Sequence, residues 1–390
     1  MPGWVASMAD VFAAFGRELA QVRLSGPRAR ESWKAALSVL LGLTASFLLF
    51  DTNDHYWAAF SAFMILRASV AETLTRGLYR VVGTVAGALT GFFLVGFAAD
   101  HAGALLLAMM CVAFVAIFYF LVSPHSYAWM YFGLTAELVL TITLAAPETV
   151  TPFVALRVGE IVTGVTACVV TSCVFDVIWP VADPGPSAPT APVDAPLPLW
   201  RGLFNEHWLR ENRLPLTHAA RGAVAFAVLF VLWRVIEFSN FGDSAVTSYL
   251  VLLVPGAAIR QGKDIAMTNR GMQRFVGCAL GGTFAIAALM IAADRLQLWI
   301  LALAAGVWIA AWVQNGKEGA GYAGSQFALA LLVTFVQSNG PPEDILPAWV
   351  RFQGILVGVF VLSLVQAAWP LPAPTDSTDG NSSAVSLAGV

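Results

Sequence analysis

Apolar runs close to the length of a membrane-crossing helix recur along the chain, each closed by a short polar break. A helix needs roughly 20 apolar residues to cross about 30 Å of hydrocarbon, and only helices and closed barrels satisfy every backbone group there. Such runs lie at about 33–50, 55–67, 77–98, 103–122, 127–146 and 153–179. A second group lies at about 217–238, 244–259, 271–293, 296–314, 321–337 and 346–369. Composition agrees, with 58% of residues hydrophobic and 12% charged, against roughly 25% charged in soluble domains. The expected fold class is an all-α membrane protein of about twelve transmembrane helices.

The flanking segments are different in kind. The start "MPGWVASMADVFAAFGRELAQVRL" is no secretory signal, since Asp10, Arg17 and Glu18 interrupt any apolar core. Its Trp4, Met8, Phe12, Phe15, Leu19 and Val22 recur at helical spacing, so residues 1–32 are expected to hold an amphipathic helix on the membrane surface. A similar "WRGLFNEHWLR" follows a stretch rich in Pro and Ala, which makes 181–216 a semi-rigid linker, and 371–390 reads as a disordered tail. Lys and Arg concentrate in segments on one side of this topology, whereas the opposite loops read "DTND", "APET" and "NGPPED". The positive-inside rule therefore puts both termini in the cytoplasm. The net charge of -3 gives no reason to expect nucleic acid as a partner. Cys111, Cys168, Cys173 and Cys278 all sit inside spans without metal-ligand spacing, as packing residues. No nucleophile, cofactor loop or metal set points to an enzyme.

The chain also repeats itself. "RGLYRVVGTVAG" at 76–87 returns as "RGMQRFVGCALG" at 270–281, and the same shift of 194 carries Arg157, Ile161 and Gly164 onto Arg351, Ile355 and Gly358. Six spans per half is an even number, so residues 33–180 and 217–370 would enter the membrane in the same direction. The halves would then be related by a pseudo-twofold axis along the membrane normal. In each half the second span is short, and "TSYLVLLVPGAAI" is broken by Pro255 and Gly256. Interrupted spans at matching positions point to a transport site, because half-helices leave backbone groups free to bind ions.

Charged residues within spans are the remaining clues. Arg76 and Arg80, like Arg270 and Arg274, stand four apart on one helix face at its cytoplasmic start. Two roles fit them: anchors of the inner surface, or an electropositive mouth that gathers anions. The glycines that follow suit close helix packing. Arg157 and Arg351 lie about four to five residues inside the outer boundary of the last span in each half. There they either snorkel outward or, facing each other, clamp a carboxylate bidentately. Glu137 falls about eleven residues into its span, near the midplane. A carboxyl at that depth is a candidate proton carrier or a bonded structural group. Glu160, three residues after Arg157, is an ion-pair partner for it and the second candidate for proton coupling.

"YWAAFSAFMILRASVAETLTRGLYRVVGTVAGALTG" resembles the signature region of the fusaric acid resistance, or aromatic acid exporter, family. Tyr56, Trp57, Arg67, Thr73, Arg76, Arg80, Gly83, Thr84 and Gly87 carry the resemblance, and the second half looks like a degenerate copy. The resemblance implies a bacterial inner-membrane exporter of aromatic carboxylates or related hydrophobic acids, driven by the proton motive force. It also implies a periplasmic adaptor protein and a small membrane partner in Gram-negative hosts, with no cofactor. The plant malate channel family is similar at a lower level, which keeps a passive organic-anion channel as the alternative. The chain lacks the large soluble domain that longer family members carry between their halves.

Overall fold

The computed structural model describes residues 3–98, 101–145, 149–180, 199–202, 205–238, 240–260, 265–292, 295–336 and 346–372. Among these there is no strand. The first half holds α1 (Gly3–Ala20), α2 (Pro27–Leu49), α3 (Tyr56–Met64), α4 (Val70–Ala98), α5 (Ala102–Val122), α6 (Ser126–Ala145) and α7 (Val150–Ile178). Two short helices follow, α8 (Leu199–Gly202) and α9 (Glu206–Glu211). The second half holds α10 (Arg213–Ile236), α11 (Phe241–Leu252), α12 (Gly256–Arg260), α13 (Ile265–Ala292), α14 (Leu296–Gln314), α15 (Gly321–Phe335) and α16 (Leu346–Ala368).

Eight of the described helices are long and apolar enough to cross a membrane: α2, α4, α5, α7, α10, α13, α14 and α16. The other expected spans also fall on helices, but α15 is a shorter apolar one and α3, α6 and α11 lie outside that set. The chain is thus a multi-pass helical membrane protein. The Pro-rich stretch 181–198 and residues 373–390 of the expected tail lie outside the described residues.

Both short second spans end in a break. α3 stops at Met64 and the chain runs without a helix to Val70, while α11 stops at Leu252 and resumes as α12 at Gly256. A helix that ends inside a bundle leaves carbonyls that water cannot reach, so each needs a donor. After α3, the fully buried Lys34 of α2 donates its Nζ to the carbonyls of Arg67 at 2.8 Å and Ala68 at 3.5 Å in the connecting segment and pairs with Glu31 Oε2 at 3.0 Å, while Tyr127 Oη donates to the last helical carbonyl, that of Met64, at 3.3 Å. In the second half Arg270 Nε donates to Leu250 O at 2.9 Å, and His218 Nε2 lies 2.8 Å from Leu252 O.

Packing follows the small residues. α4 lies against α6 and α13 against α15, with backbones close enough that glycine is required at the crossing. A Cβ at Gly83 or Gly87 would run into the carbonyls of Ala128 and Phe132, and one at Gly277 or Gly281 into those of Ala323 and Phe327. The halves meet where α3 packs on α15, α11 on α6, α2 on α14 and α10 on α5.

The amphipathic helix expected on the membrane surface has a protein partner. α1 packs on α13, α14 and α15 of the second half, burying Val11, Ala14 and Phe15, with Phe15 stacked 5.9 Å from Phe327. The fully buried Glu18 accepts from Arg28 Nη2 at 2.5 Å and from the Glu318 amide at 2.5 Å. At the rim, hydrogen bonds from Arg17 and Gln21 hold the Glu318 carboxyl below the usual carboxylate range. Its contribution is therefore present at neutral pH and lost as pH falls through that lowered value. α9 does the converse, burying Trp208 against Phe118 of α5 at 5.6 Å between ring centroids. Each half is braced by the segment that precedes the other.

Gly87→Val would force α4 off α6. Overpacking of this kind costs roughly 1–3 kcal/mol, so the purified variant is expected to melt several degrees below wild type. Gly282→Ala, with nothing within 4 Å of its Cβ, is expected to melt unchanged. Equal melting temperatures for all three proteins would refute the close-packing account.

Candidate functional site

The last helix of each half, α7 and α16, delivers an arginine to one cavity of about 300 Å³. Its walls include Asp54, Tyr56, Trp57, Phe153 and Arg157 from the first half and Asn240, Asp243, Val246 and Arg351 from the second. Leu138, Thr141 and Ile142 of α6 complete it. The breaks below α3 and α11 make this wall what it is: both helices begin beside the chamber and carry Tyr56, Trp57 and Asp243 at their first turns.

Arg157 is buried, at 3% exposure. Its guanidinium lies 3.9 Å from the Trp57 ring centroid and 4.5 Å from that of Phe153. Two acids stand off from it, Glu160 Oε2 at 3.5 Å from Nη1 and Asp54 Oδ2 at 3.9 Å from Nη2. Glu160 is buried, whereas the Asp54 side chain is 45% exposed. Arg351 is 16% exposed and has Asp243 Oδ1 at 3.4 Å from Nε. It also reaches across the halves, its guanidinium 5.8 Å from the Tyr56 ring. The two cations therefore share a chamber, and each faces a partly hydrated aspartate at a distance longer than the usual charge-assisted hydrogen bond.

Arg76, Arg80, Arg270 and Arg274 occupy a second zone on α4 and α13. Arg80 and Arg274 are buried inside the bundle, not exposed at an open mouth. Arg80 donates to Ser61 Oγ at 3.1 Å from Nε and 2.9 Å from Nη2, and its guanidinium lies 4.0 Å from the Tyr131 ring. Its Nη1 has no hydrogen-bond partner. Arg274 donates to Thr247 Oγ1 at 3.2 and 3.1 Å and to Gln326 Oε1. Arg76 lies 4.9 Å from the Tyr127 ring, and Arg270 lies 3.9 Å from that of Tyr322. Hydroxyls, amides, carbonyls and ring faces hold these four charges. No ion pair joins them to an acid among the described residues.

Glu137 is buried in α6, one turn from Thr141, which donates to the Glu137 carbonyl at 2.6 Å. It does not line the chamber. The backbone of Ala113 on α5 neighbours its carboxyl, and no ion pair reaches it among the described residues. Glu160 stays beside Arg157 as its spacing suggested.

Asp54, Asp243 and Lys34 are the participants that sequence reasoning passed over. The two aspartates share one signal: each is an acid at the start of a short second span. Lys34 gave no such signal, since its role depends on where the chain breaks after α3.

Fold and chamber together define a multi-pass membrane protein whose helical core encloses buried cations. The family of fusaric acid resistance protein-like sequences matches residues 25–171 and 226–365, and the chain belongs to that family. Membership brings with it a membrane-transport, efflux-type role. No curated protein and no solved structure matches the chain.

If Asp54 and Asp243 compete with an anion for the arginines, Asp54→Asn with Asp243→Asn should tighten binding of benzoate. For half-exposed pairs worth about 0.5–1 kcal/mol each, the gain is roughly two- to fivefold per site. Titration calorimetry on the purified double variant reads it, and an unchanged or weaker affinity would remove the aspartates as competitors.

Proposed function

We propose that the chain is a proton-coupled exporter of aromatic carboxylates or related hydrophobic organic acids. It acts in a bacterial inner membrane with both termini in the cytoplasm. The observation that carries this reading is the chamber that Arg157 and Arg351 share, one from each half, within reach of Trp57 and Tyr56. Two guanidiniums offer a carboxylate charge and planar donors, and the rings offer an aromatic body a flat surface.

Twelve spans in two parallel six-helix repeats are part of the proposal. The pairing of helices supports it: α4 with α6, α2 with α7, α3 with α7 and α5 with α6 have as counterparts α13 with α15, α10 with α16, α11 with α16 and α14 with α15. The contacts between halves match in the same way, α10 on α5 answering α2 on α14. In this arrangement Arg76, Arg80, Arg270 and Arg274 draw the anion from the cytoplasmic side, and Arg157 and Arg351 hold its carboxylate further out. Glu137, buried without a cation, exchanges the proton, and Glu160 tunes Arg157 beside it. A periplasmic adaptor protein and a small membrane partner would complete the path in a Gram-negative cell.

The energetics suffice. One proton crossing 100 mV supplies about 2.3 kcal/mol, which sustains roughly a fiftyfold gradient.

The test uses inside-out vesicles energised to acidify their interior, with protein-free vesicles subtracted. Radiolabelled 4-hydroxybenzoate should accumulate against its gradient and be released by an uncoupler. Uptake that only equilibrates would favour a passive organic-anion channel instead. Glu137→Gln is expected to abolish uphill accumulation while leaving downhill exchange, and full uphill activity in that variant would take Glu137 out of the mechanism.

A further inference from the structure

A second cavity, of about 290 Å³, also has Arg351 in its wall and is lined by second-half residues. α13 contributes Cys278, Ala279, Gly282, Thr283 and Ile286, α15 contributes Leu329, Ala330 and Thr334, and α16 contributes Trp349, Arg351, Phe352 and Ile355. Arg351 is the one charged residue of this lining, and it also lines the chamber. The cavity opens on the outer surface of the bundle. Thr283 is exposed there, Trp349 is 56% exposed, and a Cβ at Gly282 would meet nothing within 4 Å. These residues belong to α13 and α16, both long and apolar enough to span, so the opening faces lipid rather than water.

The corresponding positions of the other half carry larger side chains. The shift of 194 that relates the repeated sequences sets Ala88, Leu89 and Phe92 against Gly282, Thr283 and Ile286. It also sets Glu160 against Gly354, so Arg351 lacks the buried acid that accompanies Arg157. The slot is therefore lined mostly by apolar residues, with the hydroxyls of Thr283 and Thr334 among them and a single positive charge, Arg351, in its wall.

We propose that this slot binds the tail of a long-chain monocarboxylate from the bilayer, with its carboxylate on Arg351. The inference rests on the anion-transport reading and adds a ligand class and a lateral route to it. Charge complementarity fixes the polarity of the ligand: one guanidinium in the wall matches one carboxylate, and the mostly apolar lining matches a chain that carries no further charge. A compact acid such as benzoate reaches the same guanidinium from the chamber and does not need the slot.

The test compares two acids on the full-length protein in phosphatidylcholine nanodiscs, with empty nanodiscs subtracted. Wild type is expected to bind both dodecanoate and benzoate saturably, with dodecanol unable to displace either. Gly282→Leu and, separately, Thr283→Leu should weaken dodecanoate by about tenfold or more, as even one misplaced methylene does in a snug apolar site. Benzoate should stay within about twofold, which also shows that the variants are folded. Benzoate binding with no saturable dodecanoate site would overturn the slot and leave the transport reading standing. So would dodecanoate binding that both leucine variants leave unchanged, or equal competition by dodecanol. If wild type binds neither acid, the slot and the anion-transport reading fall together.

Discussion

A helix that stops inside a membrane protein must find donors for its last carbonyls, and much of this structure follows from how that demand is met. Tyr127 answers it at the end of α3, with Lys34 holding the carbonyls of the segment that follows, and Arg270 with His218 answers it at the end of α11. Because the breaks are tolerated, α3 and α11 are short. Their first turns start beside the chamber and bring Tyr56, Trp57 and Asp243 to its wall. The buried Lys34 ammonium is held from two sides, by the carbonyls of Arg67 and Ala68 and by Glu31 Oε2 at 3.0 Å.

Arginine is handled in two distinct ways. Arg80 and Arg274 meet only neutral partners, Ser61, Thr247, Gln326 and the Tyr131 face. Their charge is solvated by dipoles but not cancelled, so the interior of each half keeps a positive potential. At the chamber the acids return, yet at 3.4 to 3.9 Å and with two of the three on partly exposed side chains. The bundle thus holds two kinds of cation, one solvated by dipoles alone and one beside loosely held acids.

How much of this could be read from the sequence depends on the range of the interactions. Apolar runs and the "RGLYRVVGTVAG" repeat are local patterns, and they marked every segment that becomes a principal helix. The glycine spacing anticipated the α4–α6 and α13–α15 crossings, because small residues on one face have a single common use in lipid. Arg157 and Arg351 stood out as charges in otherwise apolar spans. Other features depend on tertiary placement and were not legible. α1 has an amphipathic pattern that suits a membrane surface equally well, and it is tertiary contacts, the Phe15–Phe327 stack and the bonds of Glu18 to Trp312 and the Glu318 amide, that assign it to α13–α15. Asp54 lay in a loop that read as simple outer polarity. The depth of Arg80 and Arg274 depends on Ser61 and Thr247, hydroxyls on other helices that no spacing rule connects to them.

The two halves resemble each other closely enough that their differences carry information. Arg157 has Glu160 one turn away and lies against Trp57 and Phe153, which fixes its guanidinium and spends part of its charge internally. Arg351 has Gly354 at the equivalent place, with Asp243 as its acid and Tyr56 of the other half beside it. Glycine there is also a packing requirement, since a Cβ at Gly354 would lie 2.6 Å from Asp243 Cβ. The same small residue that removes a competing acid therefore lets α16 approach α11 and keep Asp243 near Arg351. A symmetric dimer of identical halves would have to make both arginines rigid or both available. Joining the halves in one chain lets the two arginines differ, Arg157 held by Glu160, Trp57 and Phe153 and Arg351 by Asp243 and the Tyr56 ring.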